Sequence, residues 1–427
     1  MSSDRLVPFR WPAAWTGTEC LQVLAGSPIN CLVFDRLSAA GPVATQARGA
    51  GFTVLEWSTL SAAPLSEVKW GSSDSPIAIT GLPWPRIKLS PAGRPDEVEA
   101  GPTGAPWIDS NSWVVRLAAV RAARRPIWLG FETARNDPSP DAAAYTTAIA
   151  DSAAAGARWM IRLDDALSRG LPAGNADALR TWHGIVDALA FFEANREWAA
   201  WEPWGSVGIL STFTGKDEYL SQEVLNLAAR RNLLYRVLDR SMPSSQNLRG
   251  LRGVLYVDND SPSASWKAQL SAFAEEGGLL IVPQALASQF SAGNSLHCPV
   301  LGYDLRRLGK GSVATATRDW DDPYFLAADV HSLVQRRHDP VRLFNAGSVW
   351  EHYSTTSGGS RALLQLVSFT SRPNPSISVA LPHTWRSISM YVIGAAGPAA
   401  LTPVKVEGRS ELHLPEFSSY AAVEFRS

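Results

Sequence analysis

The chain has 427 residues, of which 45% are hydrophobic and 19% charged, and its formal net charge is −1. This composition excludes an intrinsically disordered protein, and the length predicts two or three domains. A charge so close to zero gives no field that would attract nucleic acid or an anionic membrane, so we expect neither as a partner. No apolar run is long enough to span a bilayer, and the first residues, "MSSDRLVPFRWPAAWTG", contain no apolar segment of a signal peptide. We therefore expect a cytoplasmic protein, with secretion after removal of a leader as the alternative.

Residues 1–204 alternate strand patterns with helical patterns. The strand candidates are "INCLVFD" (29–35), "FTVLEW" (52–57), "SPIAIT" (75–80), "PRIKLS" (85–90), "PIWLGFE" (126–132) and "RWMIRLDD" (158–165). The longer helix candidates cover 111–125, 141–157 and 175–198. This alternation predicts a parallel sheet and, at this length, an α/β barrel of the TIM type. About six strands are visible, fewer than the eight of a full barrel, so the barrel is degenerate or contains strands that the pattern does not reveal.

The rest of the chain divides into two further units. Residues 205–310 read as strand, helix, strand, strand, helix, strand, which predicts a flavodoxin-like, doubly wound domain. Residues 311–427 are expected to be a linker followed by a β-sandwich, because "SVWEHYSTTSGGSRALLQLVSFTS" and "SSYAAVEFRS" alternate polar and apolar residues between glycine and serine clusters. The predicted fold class is thus α/β multidomain with a C-terminal β-sandwich.

This order of units resembles the family 42 β-galactosidases and their relatives. The segments "WGSVGILSTFTGKDEYLSQEVLNLAARRNLLYRVLD" and "LRGVLYVDNDSPSASWKAQLSAFAEEGGLLIVPQ" are similar in pattern to their middle domain, which looks like a class I glutamine amidotransferase domain. "RALLQLVSFTS" resembles the start of their sandwich. The resemblance implies a glycosidase acting on a carbohydrate substrate, and a homo-oligomer formed through the middle domain.

Two departures from the family pattern limit what can be carried over. The segment after "LLIVP" reads "QALASQF" and lacks the cysteine nucleophile that an active amidotransferase needs, so we expect this domain to be non-catalytic. Those glycosidases also place their general acid in an Asn-Glu dipeptide, and no Asn-Glu pair occurs in the sequence. No site residue is therefore inherited from the family.

Candidate site residues come instead from the strand ends. Glycoside hydrolysis needs two carboxyl groups, and in an α/β barrel these lie where the strands end. Glu132, at the end of "PIWLGFE", and Asp164, at the end of "RWMIRLDD", are the predicted catalytic pair. The predicted substrate-binding residues are the other polar and aromatic side chains at strand ends and in adjoining loops: Asp35, Glu56, Trp57, Trp84, Asp109, Asn111, Trp113 and Asp165.

Several of these residues have an alternative role. Asp164 and Asp165 precede "ALSRG", where an aspartate would cap a helix, and Asp109 stands just before the helix that begins near Asn111. Each tryptophan, one of 17 in the chain, could stack on a sugar ring but could equally pack in a core. Glu132 has no comparable alternative beyond an exposed carboxylate or an arginine partner.

No cofactor or metal is expected. The sequence contains no P-loop, no GxGxxG, no GxSxG and no HExxH, and the three cysteines have no metal-binding spacing. The sequence leaves two functions open: a glycoside hydrolase acting on oligo- or polysaccharide by paired-carboxylate chemistry, or a non-catalytic carbohydrate-binding or assembly protein on a glycosidase scaffold.

Overall fold

The computed structural model describes residues 3–39, 41–60, 62–70, 75–88, 107–122, 125–131, 139–242, 247–290, 294–337, 339–370, 372–374, 376–406 and 409–427. Within these ranges, none of the helices combines the length and apolar character needed to cross a membrane.

The N-terminal unit is built on short parallel strands. Its strands are β1 (Pro8–Arg10), β2 (Cys31–Phe34), β3 (Thr53–Glu56), β4 (Ala63–Pro64), β5 (Ile77–Thr80), β6 (Arg86–Ile87), β7 (Ile108–Asp109), β8 (Ile127–Leu129), β9 (Arg158–Trp159) and β10 (Ile161–Arg162). Its helices are α1 (Gly41–Gly49), α2 (Ser112–Arg121), α3 (Ala142–Ala154), α4 (Asp165–Gly170) and α5 (Ala176–Ala194).

Two parallel sheets, in the orders β10-β1-β2-β3 and β4-β5-β8-β9, share one continuous segment. Residues 158–162 form β9 and β10 with a single residue, Met160, between them, and the Met160 N–H donates to the Leu129 carbonyl. Strand pairing therefore passes from one sheet to the other, as in a barrel. In the part of the chain that the structure describes, no pairing joins β3 to β4, so the predicted TIM-type barrel is seen as an open arrangement of parallel strands.

Alternate residues of these strands face opposite sides. Phe9, Leu32, Ile79, Leu129 and Ile161 belong to a large core cluster with the helices. Their neighbours form a smaller cluster on the other side of the strands, made of Leu6, Cys31, Val33, Leu60, Ala78, Trp128 and Met160. We call this second side the inner face. This face is filled by apolar side chains, among which Trp128 is fully buried.

The middle unit is a seven-stranded sheet with the order β13-β12-β14-β15-β18-β17-β16. The strands are β12 (Val207–Ser211), β13 (Tyr235–Asp239), β14 (Gly253–Tyr256), β15 (Leu279–Val282), β16 (Asn294–Val300), β17 (Tyr303–Leu308) and β18 (Gly311–Ala316). The helices are α6 (Glu218–Arg230), α7 (Ala264–Glu275) and α8 (Pro323–Leu333). Five strands are parallel, and α6 and α8 cover one face while α7 covers the other. The unit continues through β18 and α8, past the boundary predicted at residue 310.

The C-terminal unit contains two antiparallel sheets, ordered β11-β20-β21-β27-β23-β24 and β19-β22-β26-β25. Their strands are β11 (Glu202–Pro203), β19 (Arg342–Phe344), β20 (Val349–Thr355), β21 (Arg361–Ser368), β22 (Ser378–Leu381), β23 (Ser387–Val392), β24 (Ala399–Ala400), β25 (Val404–Val406), β26 (Arg409–His413) and β27 (Tyr420–Arg426). One apolar cluster draws on both sheets, for example Val379 and Leu412 from one and Leu364 and Val423 from the other. Such shared packing is that of a β-sandwich.

A buried polar junction connects the three units. Arg116 of α2 donates to the Tyr235 carbonyl of β13 at 3.3 Å and to His352 Nδ1 of β20 at 2.7 Å. Because a guanidinium can only donate, His352 accepts at Nδ1 and is neutral with its proton on Nε2. Burial, followed by the charge of Arg116, holds the pKa of His352 well below its usual value. Buried polar contacts of this kind fix the relative positions of the units.

Glu351, beside His352 on β20, gives the junction a pH dependence. Its side chain is 1% exposed, and its nearest cation is Arg336 at 3.8 Å, which also donates to Asp339 at 2.9 Å. Burial raises the pKa of Glu351 from 4.5 to about 8. The folded protein therefore keeps a proton that the unfolded chain releases, and the free energy of unfolding should fall as pH rises from about 4.5 to about 8.

The Glu351→Gln variant should lose this part of the pH dependence and be more stable than the wild type near pH 8. Chemical denaturation between pH 5 and 8 measures the free energy of unfolding of each protein. Glu416→Gln is the control, because Glu416 is exposed on the same unit. If the free energy of unfolding changed with pH by the same amount in the wild type and in Glu351→Gln, Glu351 would not be the source of the pH dependence.

Candidate functional site

The carboxyl ends of the N-terminal parallel strands bring several polar side chains to the inner face. Phe9 and Trp11 belong to the helix-side core, so Arg10 between them points inward. Ile161 and Leu163 flank Arg162 in the same way. The register pairs Arg10 of β1 with Arg162 of β10 and with Val33 of β2. Ligands of parallel α/β folds bind at this end of the strands.

Arg10, Asp35 and Trp57 form the centre of this edge. The Arg10 Nε donates to Asp35 Oδ1 at 2.9 Å, and the Arg10 guanidinium lies over the Trp57 ring, 4.3 Å from its centroid. Arg10 is 12% exposed and Asp35 58% exposed, so the carboxylate is accessible to a ligand. Gly130 lies on the same side, since a Cβ there would be 3.3 Å from the end of Met160 and in ordinary contact with Trp57 at 3.5 Å. The two predicted residues Asp35 and Trp57 are therefore neighbours.

Glu56 lies at the same edge with its carboxylate already hydrogen-bonded. Its Oε1 accepts from the Ser58 hydroxyl at 2.7 Å, and its Oε2 accepts from the Leu37 N–H at 3.3 Å. Glu56 thus joins the loop after β2 to the turn after β3.

Asp164 caps helix α4, the alternative role expected from the sequence. Its Oδ1 accepts from the Ala166 N–H at 2.7 Å and from the Leu167 N–H at 2.9 Å. Its Oδ2 is buried and has no hydrogen-bond partner among the described residues. Asp165 is the first residue of α4 and is exposed. One carboxylate oxygen of Asp164 therefore stabilises the helix, and the second is uncommitted.

Substitutions can separate the cap from any chemical role of Asp164. We expect Asp164→Ala to lower the free energy of unfolding by about 1 kcal/mol, because the two N–H groups lose their acceptor. Asp164→Asn should keep the stability of the wild type, since asparagine caps as well as aspartate. Thermal melts of both variants measure this. Equal losses in the two variants would show that the charge, rather than the cap, stabilises α4.

A second group of predicted residues lies towards the middle unit. Asp109 of β7 is paired in register with Arg86, and its charge, after burial, helps to raise the pKa of Glu223 on α6. The Asn111 side chain donates to the Pro83 carbonyl at 3.0 Å. Trp113 packs against the apolar clusters of both the N-terminal and the middle units. Asp109 and Trp113 thus approach the middle unit.

Asp151, which the sequence did not single out, organises the start of α2. The N-cap residue Asn111 makes no capping bond with its own side chain. Asp151 on α3 accepts from the Asn111 N–H and from the Ser110 hydroxyl, both at 2.6 Å. Burial raises the pKa of Asp151 to about 6, although both hydrogen bonds favour its charged form. Its role is to hold α2 against α3.

The remaining predicted residues are Trp84 and Glu132. Trp84 is 8% exposed and packs among Phe131, Tyr145 and Trp159, with ring centroids 4.9 to 5.3 Å away. Little of its surface is left for a ligand. Glu132 lies outside the described residues, which stop at Phe131 before this gap. Its assignment as a catalytic residue stays a prediction.

Two clefts lie at the amino-terminal ends of parallel strands, one in the N-terminal unit and one in the middle unit. One, of about 890 Å³, is lined by residues that include Pro8, Ile127 and Arg158, and the other, of about 1250 Å³, by residues that include Arg252, Leu279 and Gly311. We place the candidate site by chemistry rather than by volume, because the loops that carry function in these folds follow the carboxyl ends. Among the described residues, no group of three or more His, Cys, Asp or Glu side chains could hold a metal ion.

No protein-family model and no curated protein matches the chain. Among solved structures, the α-L-fucosidase isoenzyme 2 from Paenibacillus thiaminolyticus superposes with a TM-score of 0.54 at 12% identity, over 96% of this chain and 79% of that one. The predicted resemblance to glycoside hydrolases is thereby confirmed for the fold.

Two β-galactosidases match less closely. The enzyme from Rahnella sp. R3 gives a TM-score of 0.46 at 10% identity, over 74% of this chain and 57% of that one. A family 42 enzyme from G. stearothermophilus gives 0.44 at 9% identity, over 82% and 64%. The chain thus spans less than two thirds of the length of either β-galactosidase.

Proposed function

We propose that the protein is a glycoside hydrolase whose sugar site lies at the carboxyl edge of the N-terminal parallel strands. The observation that carries this proposal is the contact of Asp35, Arg10 and Trp57 at that edge. A carboxylate, a cation and an aromatic ring can together bind hydroxyl groups and the apolar face of a sugar. The fold shared with a fucosidase supports the same class of ligand.

The proposed catalytic pair is Glu132 and Asp164, one acting as acid and the other as nucleophile or base. Asp164 has one oxygen free of hydrogen bonds among the described residues, which supports its inclusion although the other oxygen caps α4. If the pair is correct, the two carboxyl groups lie about 5 to 10 Å apart across the ligand. The surrounding architecture in this proposal is a degenerate barrel, an amidotransferase-like domain without its cysteine, and a sandwich.

One observation favours the second candidate, a sugar-binding protein without turnover. The strand-end carboxylates of Asp35, Glu56 and Asp164 each make a hydrogen bond or ion pair within the protein. A hydrolase that had lost its chemistry could keep the scaffold and the sugar site.

A panel of 4-nitrophenyl glycosides, in both anomers, separates the two candidates. Release of nitrophenol by the wild type supports the hydrolase. Binding of a glycoside without release, detected by ligand-observed NMR, supports the binding protein. Neither release nor binding across the panel would overturn both. Trp57→Ala should weaken binding in either case, because the ring that supports the sugar is removed.

A further inference from the structure

We propose that the middle unit binds a small organic anion, a molecule with a planar ring and a phosphate or carboxylate group. The site is the cleft of about 1250 Å³ at the amino-terminal ends of its parallel strands. This cleft belongs to a different unit from the candidate sugar site, so the inference goes beyond the proposed function and does not depend on it. It is drawn from the placement of Arg252, Phe273 and Lys310, which all line the cleft.

The register of the sheet places these groups side by side. Strands β14, β15 and β18 begin in line, because Gly253 pairs with Leu279 and Leu279 pairs with Ser312. The Leu279 N–H donates to the Arg252 carbonyl at 2.9 Å, which continues the register one residue back. The row of residues next to these pairs is Arg252, Gly278 and Gly311. Neighbouring strands lie about 4.8 Å apart, so the two ends of the row are about 10 Å apart.

Lys310 lies at one end of the row, in a turn that two glycines make possible. Gly309 has a φ of +61°, and a Cβ there would lie 2.5 Å from the Glu275 carbonyl oxygen at the end of α7. A Cβ on Gly311 would overlap with the Gly278 carbonyl oxygen. The Lys310 N–H donates to the Glu275 carbonyl at 2.8 Å. The backbone of Lys310 is thus fixed beside the cleft that its side chain lines.

The Phe273 ring occupies the middle of the row. A Cβ on Gly278 would overlap with this ring, so the ring lies where a side chain of residue 278 would otherwise be. Phe273 is half-buried, and it packs against the apolar cluster that includes Trp266 and Leu270. The rest of the ring lines the cleft. An aromatic surface therefore lies between Arg252 at one end of the row and the turn of Lys310 at the other.

The cations of the cleft are not paired within the described part of the chain. Neither Arg252 nor Lys310 makes a side-chain hydrogen bond or ion pair there. Arg249 also lines the cleft, whereas Glu276 is the one acidic side chain among the described lining residues. The last four carbonyls of α7 already accept backbone N–H groups. Three cations therefore meet one carboxylate, which makes the cleft attractive to an anion.

This combination suits an anionic group attached to a planar ring. The Arg252 guanidinium is a planar fork of N–H donors and the Lys310 ammonium is a compact charge, and both bind phosphate or carboxylate oxygens. A planar ring can pack on Phe273 in the offset or edge-to-face arrangements that aromatic pairs prefer. Because the row is about 10 Å long, one molecule of the size of a nucleotide can contact the ring and at least one cation.

Matched probes that differ in charge test the proposal by titration calorimetry with the full chain. The probes are AMP, ADP and ATP against adenosine, and indole-3-acetate against indole-3-acetamide, in buffer without divalent cations. Inorganic pyrophosphate supplies the charge without the ring. We expect at least one anionic ring compound to bind about 10-fold more tightly than its neutral partner, the gain of a charge-assisted hydrogen bond. The nucleotide and indole arms identify whether phosphate or carboxylate is preferred, and pyrophosphate should bind more weakly than the preferred probe.

Substitutions in the row provide the second measurement. Arg252→Gln and Lys310→Gln should each weaken the preferred probe by about 10-fold while changing its neutral partner little. Phe273→Leu should weaken both partners, because it removes the ring and keeps an apolar side chain for packing. Lys267→Gln is the matched control, since Lys267 is an exposed lysine of the same helix as Phe273 and does not line the cleft. Circular dichroism confirms that each variant is folded.

Three results would overturn the inference. The first is equal binding of the charged and neutral partners by the wild type. The second is a preference for the charged partner that survives in both glutamine variants. The third is a dissociation constant weaker than about 1 mM for every anionic ring probe. Each of these results leaves the proposed function standing, because that function is tested with glycosides at the N-terminal unit.

Discussion

Replacing Glu132 by glutamine is expected to lower kcat by about 10²- to 10⁴-fold on any glycoside that the wild type hydrolyses. Glutamine has nearly the same shape as glutamate but cannot donate or accept the proton that glycosidic bond cleavage requires. The binding of substrate should change less than kcat, because the amide still forms hydrogen bonds. Steady-state kinetics with 4-nitrophenyl glycosides measure both quantities.

The leaving group makes this test sharper. If Glu132 is the general acid, a dinitrophenyl glycoside should be affected much less than a methyl glycoside, because a good leaving group departs without protonation. Glu416→Gln, an exposed position of the C-terminal unit, is the matched control and should retain the kinetics of the wild type. Unchanged kcat and KM in Glu132→Gln would remove Glu132 from the mechanism.

Arg121→Ala is expected to cause the largest loss of stability, about 3 to 5 kcal/mol. Arg121 on α2 of the N-terminal unit donates to Asp239 of β13 at 2.5 Å and to the Thr212 carbonyl at 2.7 Å. The Asp239 side chain is fully buried and the Arg121 side chain is 10% exposed. Removing the arginine takes the guanidinium away from a buried carboxylate that the Ser241 N–H and hydroxyl also hold, and such a removal costs more than the pair itself contributes.

Urea denaturation followed by tryptophan fluorescence measures this effect, with each transition analysed separately because a chain with three units need not unfold in one step. Arg180→Ala is the control, since its pair with Asp177 is exposed and such pairs contribute little. The double variant Arg121→Met with Asp239→Leu should recover part of the lost stability, because it also removes the buried negative charge of Asp239. A loss no larger than that of Arg180→Ala would contradict the proposed role of the Arg121–Asp239 pair.

Much of the secondary structure follows from local sequence. The helix expected at 141–157 is observed at Ala142–Ala154, and the one at 175–198 at Ala176–Ala194. Both begin where the sequence supplies a capping side chain, Asp141 for the first and Asn175 for the second. The last strand of the order predicted for 205–310 corresponds to β15, Leu279–Val282, because the aliphatic run "LLIV" is a strong strand signal.

Elements that depend on distant partners were harder to predict. The first strand, Pro8–Arg10, has only three residues and gains its identity from pairing with β2 and β10. The segment 303–316, expected to straddle a boundary into a linker, forms β17 and β18 because it pairs with itself and with β15. The cap of α2 comes from Asp151, 40 residues away from Asn111. None of these contacts leaves a local pattern.

The candidate site was predictable only in part for the same reason. Strand ends could be located from the sequence, and Asp35 and Trp57, which follow two of them, both contact Arg10. The pairing of Asp109 with Arg86 and the packing of Trp113 against the middle unit depend on residues far away in the sequence, so they could not be predicted locally. Arg10 and Arg162 could have been found by following the alternation of "PFRW" and "WMIRL" on both sides of each arginine.

A crystal structure of Glu132→Gln soaked with the most tightly bound sugar tests the central claim most directly. The claim is that the ligand site lies at the carboxyl edge of the N-terminal strands. We predict density for the sugar against Trp57, within hydrogen-bond distance of Asp35 or Arg10. Density in the 890 Å³ cleft at the amino-terminal ends of these strands, beside Arg158, with the carboxyl edge empty, would contradict the claim.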